Sequence, residues 1–433
     1  RAELHDTDLM SRVLFPEGQR KGRGGHGLKN LATIHLSPDG DVAEQKLIDA
    51  CEDAGIKLKT TGGYYKAWRA FPALLEHYAA MDARYTYDLF VKFEEMMTVD
   101  QARTYALEQA VAPVLITAEA RGTALDPSAV DRLRAEYQGQ APAPHARLAD
   151  TLGEEAIGGE GSEAALVEAL QKQGVPLWEK TPSGQLATNK FALQEFVDDH
   201  PCIEDLFAWR TATKFLSTYL DPMVDRDVVH PSFRQIGAWT GRMSCARPNM
   251  QNIPVRAGAE VRAMFVPRPG YAFVVCDYDS IEVRLLAHYL GDTSFRQLIA
   301  DGHDPHSWMA ANLHGGSPED YAKGGPNDSV RAAAKNSLFA ITYGAGGKRI
   351  TDMNQLDPGP FYGEDHPAIQ AAQAEGRWWP KVGWQYAEGR ALIRKIKASL
   401  PNYDRLMKRI RAKIEDVGYV NTLWGRTNPV NKD

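Results

Sequence analysis

The sequence predicts a multidomain α/β protein, and three observations support this fold class. The chain has 433 residues, too many for one compact core and enough for two to four domains. Apolar residues recur with helical spacing through residues 105–120 and 164–173. The second half differs, because Tyr271-Ala-Phe-Val-Val-Cys276 is a short continuous apolar run typical of a buried strand, and a helical pattern follows it at once.

The composition is that of an ordinary globular protein, with 43% hydrophobic and 24% charged residues. No apolar run approaches the length of a membrane span, so we expect no membrane partner. The cysteines are few and far apart, which argues against a disulfide framework or a zinc site and predicts a cytoplasmic location. They are Cys51, Cys202, Cys245 and Cys276. The first residue is not Met, which indicates a fragment.

Charge is distributed unevenly along the chain. The net charge is −6, but residues 381–433 contain twelve Lys/Arg against five Asp/Glu. A basic terminal segment beside an acidic body fits contact with a nucleic-acid backbone. A solvated helix face is the plainer interpretation of the same run, and both stay open.

The first half of the chain predicts mostly helices. Residues 1–98 predict a mixed α/β region, with a basic Gly-rich loop at residues 20–25 and a helix at about residues 71–97. The stretches 138–144 and 158–161 contain several Gly and Pro residues, and they predict a flexible joint inside the helical region that follows.

The second half predicts a strand and then three helices, at residues 233–240, 281–289, 328–343 and 387–417. In the first of these helices Ile281, Leu285 and Tyr289 form the apolar stripe. Gly344 predicts the end of the second helix.

Asp277 closes the apolar run, where a carboxylate is costly unless it is paired or bound to a metal ion. Mg²⁺ prefers one or two carboxylates together with substrate phosphates, so this position indicates a phosphoryl-transfer site. An Asp that caps the next helix is the alternative. Glu282 also has a structural alternative, since Asp279-Ser-Ile-Glu282 has the form of a capping box.

Arg331, Lys335, Phe339 and Tyr343 are spaced by four and therefore share one face of a helix. Two cations one turn apart suit a polyphosphate, and the rings beyond them suit a sugar and a base. The stripe therefore predicts a nucleoside triphosphate site. An amphipathic surface helix with its aromatic residues turned inward is the alternative.

These residues lie in segments that resemble, in order, five motifs of family A DNA polymerases, the bacterial polymerase I and phage-type group. They correspond to the palm signature, motif A, the step before the fingers, motif B and the end of the fingers. The segments are Thr240-Gly-Arg-Met-Ser-Cys-Ala-Arg-Pro-Asn-Met-Gln-Asn-Ile-Pro254, Val275-Cys-Asp-Tyr-Asp-Ser-Ile-Glu-Val-Arg284, Asp304-Pro-His306, Arg331-Ala-Ala-Ala-Lys335-Asn-Ser-Leu-Phe339-Ala-Ile-Thr-Tyr343-Gly344 and Gly418-Tyr-Val-Asn-Thr-Leu-Trp-Gly-Arg426.

The resemblance implies a right-hand polymerase that transfers a dNMP to a primer 3′-hydroxyl and releases pyrophosphate. It places the thumb and connecting helices at residues 99–228, the first part of the palm at 229–295 and the fingers at 296–433. Residues 357–380 resemble an insertion in the fingers, which favours a phage-type member. We expect a monomer in a bacterial or phage-infected host.

The resemblance implies that Asp277 and Lys335 are catalytic residues. Asp277 would bind both Mg²⁺ ions of the complete enzyme, assisted by the backbone carbonyl of Tyr278. Arg331, Lys335 and His306 would hold the triphosphate.

Further residues would contact the dNTP or the DNA. Phe339 would stack on the incoming dNTP, Tyr343 would lie near the templating position, and Glu282 would exclude ribonucleotides. Primer-template DNA would contact Arg242, Asn249, Gln251 and Lys214.

The first 98 residues resemble, more faintly, the family's 3′–5′ exonuclease domain, which has an RNase H-like fold. His5-Asp-Thr-Asp-Leu-Met-Ser-Arg-Val-Leu14 and His26-Gly-Leu-Lys-Asn-Leu-Ala32 match its flanking stretches. Tyr78 and Asp82 fit its Y-x3-D motif, in which the Tyr orients the attacking water and the Asp binds metal. A surface helix that carries both residues is the alternative.

Motif C, which supplies the second metal-binding carboxylate, is missing from the sequence, as are the first exonuclease motifs. We therefore expect a partial exonuclease domain, an incomplete palm and a fragment that adds nucleotides poorly alone. Three other functions stay open: a single-subunit RNA polymerase, a protein dominated by 3′–5′ exonuclease activity, and a DNA-binding module whose polymerase site has decayed.

Overall fold

The computed structural model describes residues 4–16, 25–157, 162–181, 183–238, 240–254, 259–356, 386–400, 402–423 and 425–430. Two predicted features lie wholly or largely outside them: the insertion at 357–380 and residues 20–24 of the Gly-rich loop. The stretch 158–161 lies outside them as well. Internal contacts divide the chain into two units. The first comprises Arg1–Val274 with Asn421–Pro429, and the second comprises Val275–Val420 with Val430–Asp433.

The first unit is mostly helical. Its helices are α1 Thr7–Leu14, α2 Leu28–His35, α3 Val42–Asp53, α4 Gly63–Ala70, α5 Pro72–Met96, α6 Val99–Arg121, α7 Pro127–Gln140, α8 Pro142–Leu152, α9 Glu154–Ile157, α10 Ser162–Lys172, α11 Lys190–Leu193 and α12 Pro201–Lys214. Its strands are β1 Thr123–Leu125, β2 Val228–Val229, β3 Ser232–Arg234, β4 Ser244–Ala246 and β5 Phe265–Val266.

The mixed α/β prediction for the N-terminal region is wrong for its described part, because residues 4–16 and 25–98 contain helices and no strand. Leu9 and Val13 are four residues apart on α1 and both are buried, which is helical spacing. They pack in one cluster with Leu89 and Phe93 of α5. Each helix therefore buries one face, and α5 confirms the helix predicted at about residues 71–97.

The predicted joint at residues 138–144 is a boundary between two helices. α7 ends at Gln140 and α8 begins at Pro142. Pro is tolerated at the first helical position, where its missing N–H has no helical acceptor. Two long predicted helices are confirmed at the same time, since α6 covers residues 105–120 and α10 covers most of 164–173.

Short antiparallel strands complete the first unit. The strand order is β2-β1-β5, and Ala124 is paired with Val228 on one side and Val266 on the other. β3 pairs with β4. The strand predicted at residues 233–240 is therefore confirmed only at its start. It ends early because Ile236 adopts a φ of 50°, which takes the backbone out of the extended region.

The second unit is helical in its described part. Its helices are α13 Ile281–Leu290, α14 Thr293–Ala300, α15 Pro305–His314, α16 Asp328–Thr342, α17 Gly347–Met353, α18 Ala387–Ala398 and α19 Tyr403–Val417. Where the chain passes between the units it forms two further strands, β6 Tyr419–Asn421 and β7 Thr427–Pro429. The single helix predicted at residues 387–417 is thus two helices, and the sequence places a proline, which breaks helices, at position 401 between them.

The apolar run at residues 271–276 is not a strand. It has no regular secondary structure and is exposed, with Val274 at 86% and Val275 at 90% of their maximal exposure. Apolar content alone does not form a strand, because the backbone N–H and C=O groups also need partners. Among the described residues no strand pairs with this segment.

The helix after this run forms as predicted, but its buried face is different. Ile281, Leu285 and Tyr289 are between 38% and 42% exposed. The buried side chains of α13 are instead Val283, Leu286, Ala287 and Leu290. They join one core with the inner faces of α14, α15, α16, α18 and α19. No described helix is long and apolar enough to cross a membrane.

Candidate nucleotide-binding site

α16 carries the predicted nucleotide-binding stripe and confirms the helix expected at residues 328–343. Its inner face is buried, with Ala334, Leu338 and Ile341 in the core of the second unit. The helix ends at Thr342, and Gly344 follows with a φ of 85°, a left-handed conformation that glycine adopts without strain.

The outer face of α16 presents a cation followed by two aromatic rings. Lys335 is exposed, and its Nζ lies 5.8 Å from the centroid of the Phe339 ring. Phe339 is half-buried against the core, whereas Tyr343 is 67% exposed. An open cavity of about 430 Å³ adjoins both rings and is bounded on its far side by Arg349 and Met353 of α17. This arrangement has the order of a nucleotide, with charge at one end and ring faces at the other.

Arg331 is held by acidic partners. Its Nε donates to Asp304 Oδ2 at 2.5 Å, and its Nη1 lies 3.6 Å from Asp328 Oδ1. The side chain is only 12% exposed. Lys335 is therefore the more accessible cation of the stripe, and a phosphate reaching Arg331 would share it with Asp304.

Asp304 is a site residue for which the sequence predicted no role. Its carboxylate begins α15 by accepting from the backbone N–H of His306 at 2.9 Å, and it also accepts from the Ser307 hydroxyl. Burial raises the pKa of Asp304, but the bonds from Arg331, His306 and Ser307 more than offset this and hold the pKa below its usual range. The signal available beforehand was an Asp directly before a helix that begins with Pro305.

His306 lies behind the stripe and is buried. Its ring centroid is 5.5 Å from that of Phe339. Burial lowers the pKa of His306 to about 4, and the nearby cations Lys335 and Arg331 act in the same direction. The imidazole is therefore neutral at neutral pH, and its Nδ1 is buried without a hydrogen-bond partner among the described residues. His306 can offer a phosphate a hydrogen bond but not a positive charge.

The segment with Asp277 leads into α13. Asp277 and Tyr278 are exposed, and within the described structure no group pairs with the Asp277 carboxylate. The next carboxylate behaves differently, because Arg284 donates through Nε to the Asp279 carbonyl and through Nη2 to its carboxylate at 3.2 Å. These bonds and one from Ser280 lower the pKa of Asp279. Asp277 is thus available to a ligand, whereas Asp279 is engaged.

Glu282 does not form the capping box that was the alternative for it. The residue before α13 is Ser280, which adopts a φ of 49° and makes no side-chain cap. Glu282 Oε1 instead accepts a hydrogen bond from the Tyr343 hydroxyl at 3.3 Å. This contact joins the first turn of α13 to the residue that follows α16, so the carboxylate lies beside the aromatic end of the stripe.

Electrostatics connect the two halves of this site. Burial lowers the pKa of His306 and the hydrogen bond from Arg284 lowers that of Asp279, and smaller opposing effects come from the charge of Asp279 on His306 and that of Asp304 on Asp279. The turn after Asp277 therefore lies within electrostatic reach of α15 and α16.

The donors that could hold a metal ion near the stripe are few. No group of three His, Cys, Asp or Glu side chains among the described residues is arranged to hold a metal ion. The exposed, unpaired carboxylate of Asp277 nevertheless suits Mg²⁺, which commonly takes one or two carboxylates and completes its shell with water and substrate phosphates. The donors fit a metal shared with a nucleotide rather than one enclosed by the protein.

The four residues predicted to contact DNA lie in the first unit. Lys214 is exposed at the end of α12, and Arg242 and Gln251 are exposed as well. Asn249 is half-buried, and its Oδ1 accepts from the Gln251 backbone N–H at 3.1 Å, so it caps a short 3₁₀ helix. Their contacts with DNA stay a prediction.

Gly241, in the same motif, has a conformational and a steric requirement. Its φ is 87°, and a Cβ there would lie 2.5 Å from the Arg426 side chain. Arg426 forms a largely buried ion pair with Glu108. The motif around Gly241 therefore contacts the motif that ends at Arg426.

Tyr78 and Asp82 lie on α5, as predicted, but with unexpected partners. Asp82 forms an ion pair with Lys29 of α2. Tyr78 is hydrogen-bonded to Tyr64, and burial, the largest cause, raises the pKa of Tyr78 to about 12.

Comparison with known structures assigns the chain the polymerase fold. It matches the POL domain of Pol1 from M. smegmatis, solved in complex with DNA primer-template and dNTP, with a TM-score of 0.72 and 21% identity. The match covers 98% of this chain and 64% of that one.

Residues 129–360 match the model of DNA polymerase family A, and the chain belongs to that family. It is 30% identical over 440 residues to DNA polymerase I of Rhizobium leguminosarum, a match over 97% of this chain and 38% of that protein. It is 31% identical over 280 residues to the thermostable DNA polymerase I of Thermus thermophilus, over 61% of this chain and 28% of that protein. The chain thus spans about two-fifths or less of the length of these relatives. The family prediction is confirmed, whereas the domain boundaries, the phage-type character and the cytoplasmic location stay predictions.

Proposed function

We propose that this chain is the nucleotide-binding part of a template-directed DNA polymerase that adds dNMPs to a primer 3′-hydroxyl and releases pyrophosphate. The observation that carries the proposal is the outer face of α16. There an accessible cation, Lys335, precedes two aromatic side chains that line one cavity, and the second of them, Tyr343, is hydrogen-bonded to Glu282. Membership of DNA polymerase family A supports the same reaction.

Each residue of this face has a defined task. Lys335 balances the charge of the triphosphate, and Arg331 adds a second cation at the expense of its bond to Asp304. His306 donates from a neutral ring. Phe339 supports the sugar and base by stacking, and Tyr343 borders the position of the base pair.

Asp277, with the Tyr278 carbonyl, would hold Mg²⁺ against the phosphates of the bound dNTP. The metal supplies charge neutralisation at the phosphate oxygens. The primer oxygen forms a bond to the α-phosphorus while the bond from that phosphorus to the pyrophosphate oxygen breaks, and the hydroxyl proton leaves to solvent. Primer-template DNA is held by the first unit, where Lys214, Arg242 and Gln251 are exposed.

The proposal is tested by the affinity of a labelled dNTP for the 433-residue chain bound to primer-template. The Lys335→Ala variant is expected to bind about 10- to 100-fold more weakly, because it loses a charge-assisted phosphate contact of about 1.5–3 kcal/mol. Lys323→Ala is the matched control, since Lys323 is exposed in the same unit but precedes α16 and is not part of the stripe. Equal loss in both variants, or none in Lys335→Ala, would exclude the α16 face as the site.

A further inference from the structure

One face of α5 forms a pocket for a cation. Tyr78, Asp82 and Tyr85 are spaced at i, i+4 and i+7, so they point to the same side of the helix. α2 supplies the cation. Lys29 contacts the Asp82 carboxylate, and its Nζ lies 4.5 Å from the Tyr78 ring centroid and 6.0 Å from that of Tyr85.

This ion pair is largely withdrawn from water. The side chain of Lys29 is 16% exposed and that of Asp82 is 28% exposed. Burial lowers the pKa of Lys29, and the nearby charge of Glu44 opposes that effect. Because an isolated buried charge is costly, each group of the pair stabilises the charged form of the other, and the ring faces stabilise the ammonium further.

The same carboxylate is the one that the exonuclease resemblance assigns to a metal ion. A divalent ion bound to Asp82 would have to stand about 2 Å from an oxygen that the Lys29 ammonium already contacts. Two cations so close repel each other strongly in a partly buried place. Tyr78 is also engaged, since it bonds to Tyr64 and borders Lys29. The residues present therefore do not fit a metal-dependent exonuclease.

We propose that Lys29 takes the place of a divalent metal ion at Asp82. The Lys29–Asp82 ion pair then stabilises the packing of α2 against α5, and the two residues do not form an exonuclease site. The proposal is independent of the polymerase function.

The test compares thermal unfolding and single-strand degradation in wild type, Asp82→Asn and Asp88→Asn. Asp88 is the matched control, because it pairs with Arg84 on the exposed side of the same helix. We expect the midpoint of unfolding to fall by several degrees in Asp82→Asn and by about one degree or less in Asp88→Asn. Only the Asp82→Asn change leaves a buried ammonium without a carboxylate partner. The double variant Lys29→Met/Asp82→Asn should recover part of that loss.

Two further measurements begin with wild-type protein, and the variants then show whether any DNA degradation or metal binding depends on Asp82. MnCl₂ is expected to leave the wild-type unfolding midpoint unchanged, and labelled single-stranded DNA is expected to stay intact with Mg²⁺ or Mn²⁺. Degradation of the DNA by wild type and Asp88→Asn but not by Asp82→Asn would overturn the proposal. A rise in the midpoint with MnCl₂ that disappears in Asp82→Asn would overturn it as well. The Lys29→Met variant should bind dNTPs with the same affinity as wild type. Failure of the Lys29–Asp82 proposal can therefore be distinguished from failure of the proposed polymerase function.

Discussion

The Asp304 carboxylate accepts hydrogen bonds from three donors. Through these bonds it connects the start of α15 to the side of α16. No spacing rule reveals this role. The capping position could be predicted from the Pro that follows, but the bond to Arg331 connects residues 27 positions apart and depends on how the two helices pack. The sequence therefore predicted Arg331 as a freely available cation, whereas the structure shows it largely buried between Asp304 and Asp328.

His306 gives the site a measurable dependence on pH. Its pKa is about 4 in the folded chain against 6.5 in its ordinary state. Between these two values the unfolded chain takes up a proton that the folded chain does not, so the free energy of unfolding falls as the pH drops from 6.5 to 4. A shift of this size corresponds to about 3 kcal/mol when fully developed.

The prediction is that His306→Gln loses less stability than wild type when the pH is lowered through this window. Urea unfolding at several pH values measures it. His314→Gln is the control, because that His ends the same helix on the surface. Identical pH profiles for wild type and His306→Gln would show that the buried imidazole is not the titrating group. Below pH 4, loss of the Asp304 charge adds to the fall in both proteins, because the pKa of Asp304 is lowered.

At the scale of elements, the sequence predicted helices well and strands poorly. α16 could be predicted because its buried and exposed faces are both encoded in a spacing of three and four. The apolar run at residues 271–276 was predicted to be a buried strand, yet a strand exists only beside another strand, and the composition of the run says nothing about the neighbour. The same limit applies to α13, where two apolar faces compete and the packing of the neighbouring helices decides which of them is buried.

The contact between α13 and α16 predicts how the sugar is selected. Glu282 accepts a hydrogen bond from the hydroxyl of Tyr343, a residue that lines the cavity, and we propose that this carboxylate opposes a 2′-hydroxyl on the bound nucleotide. Glu282→Ala should raise the affinity for a ribonucleoside triphosphate relative to the matching dNTP by about 10-fold or more, because space and a repelling carboxylate are both removed.

Tyr343→Phe is expected to shift the same ratio in the same direction but by less, since the carboxylate remains and only its anchor is lost. Competition between ATP and dATP for the chain on primer-template measures both variants. Asp301→Asn, which replaces an exposed carboxylate of the same unit, should leave the ratio of ATP to dATP affinity unchanged. Equal use of the two nucleotides by the wild-type chain would instead favour an RNA polymerase.

At the scale of the molecule, the order of the five motif-like segments along the chain determined the family prediction. Asp277, Glu282 and the α16 stripe each had a structural explanation when considered alone, and five segments in the family's order made the family predictable. What could not be predicted is each unit's internal pairing. Arg426, which is ion-paired with Glu108, lies against Gly241 although the two residues are 185 positions apart in the chain. Lys29 of α2 likewise pairs with Asp82 of α5. Such contacts are products of the fold and leave no periodic pattern.

A template-directed polymerase site binds the nucleotide that the template specifies, and binding measurements can show whether the α16 face does so. The affinities of all four dNTPs are measured for the 433-residue chain on a primer-template with a blocked primer end and one defined templating base. We expect the complementary dNTP to bind about 10-fold or more tightly than the other three, the preference to change when the templating base is changed, and Lys335→Ala to weaken binding of the preferred dNTP. Equal affinities for the four dNTPs, or a preference that ignores the templating base, would contradict this expectation.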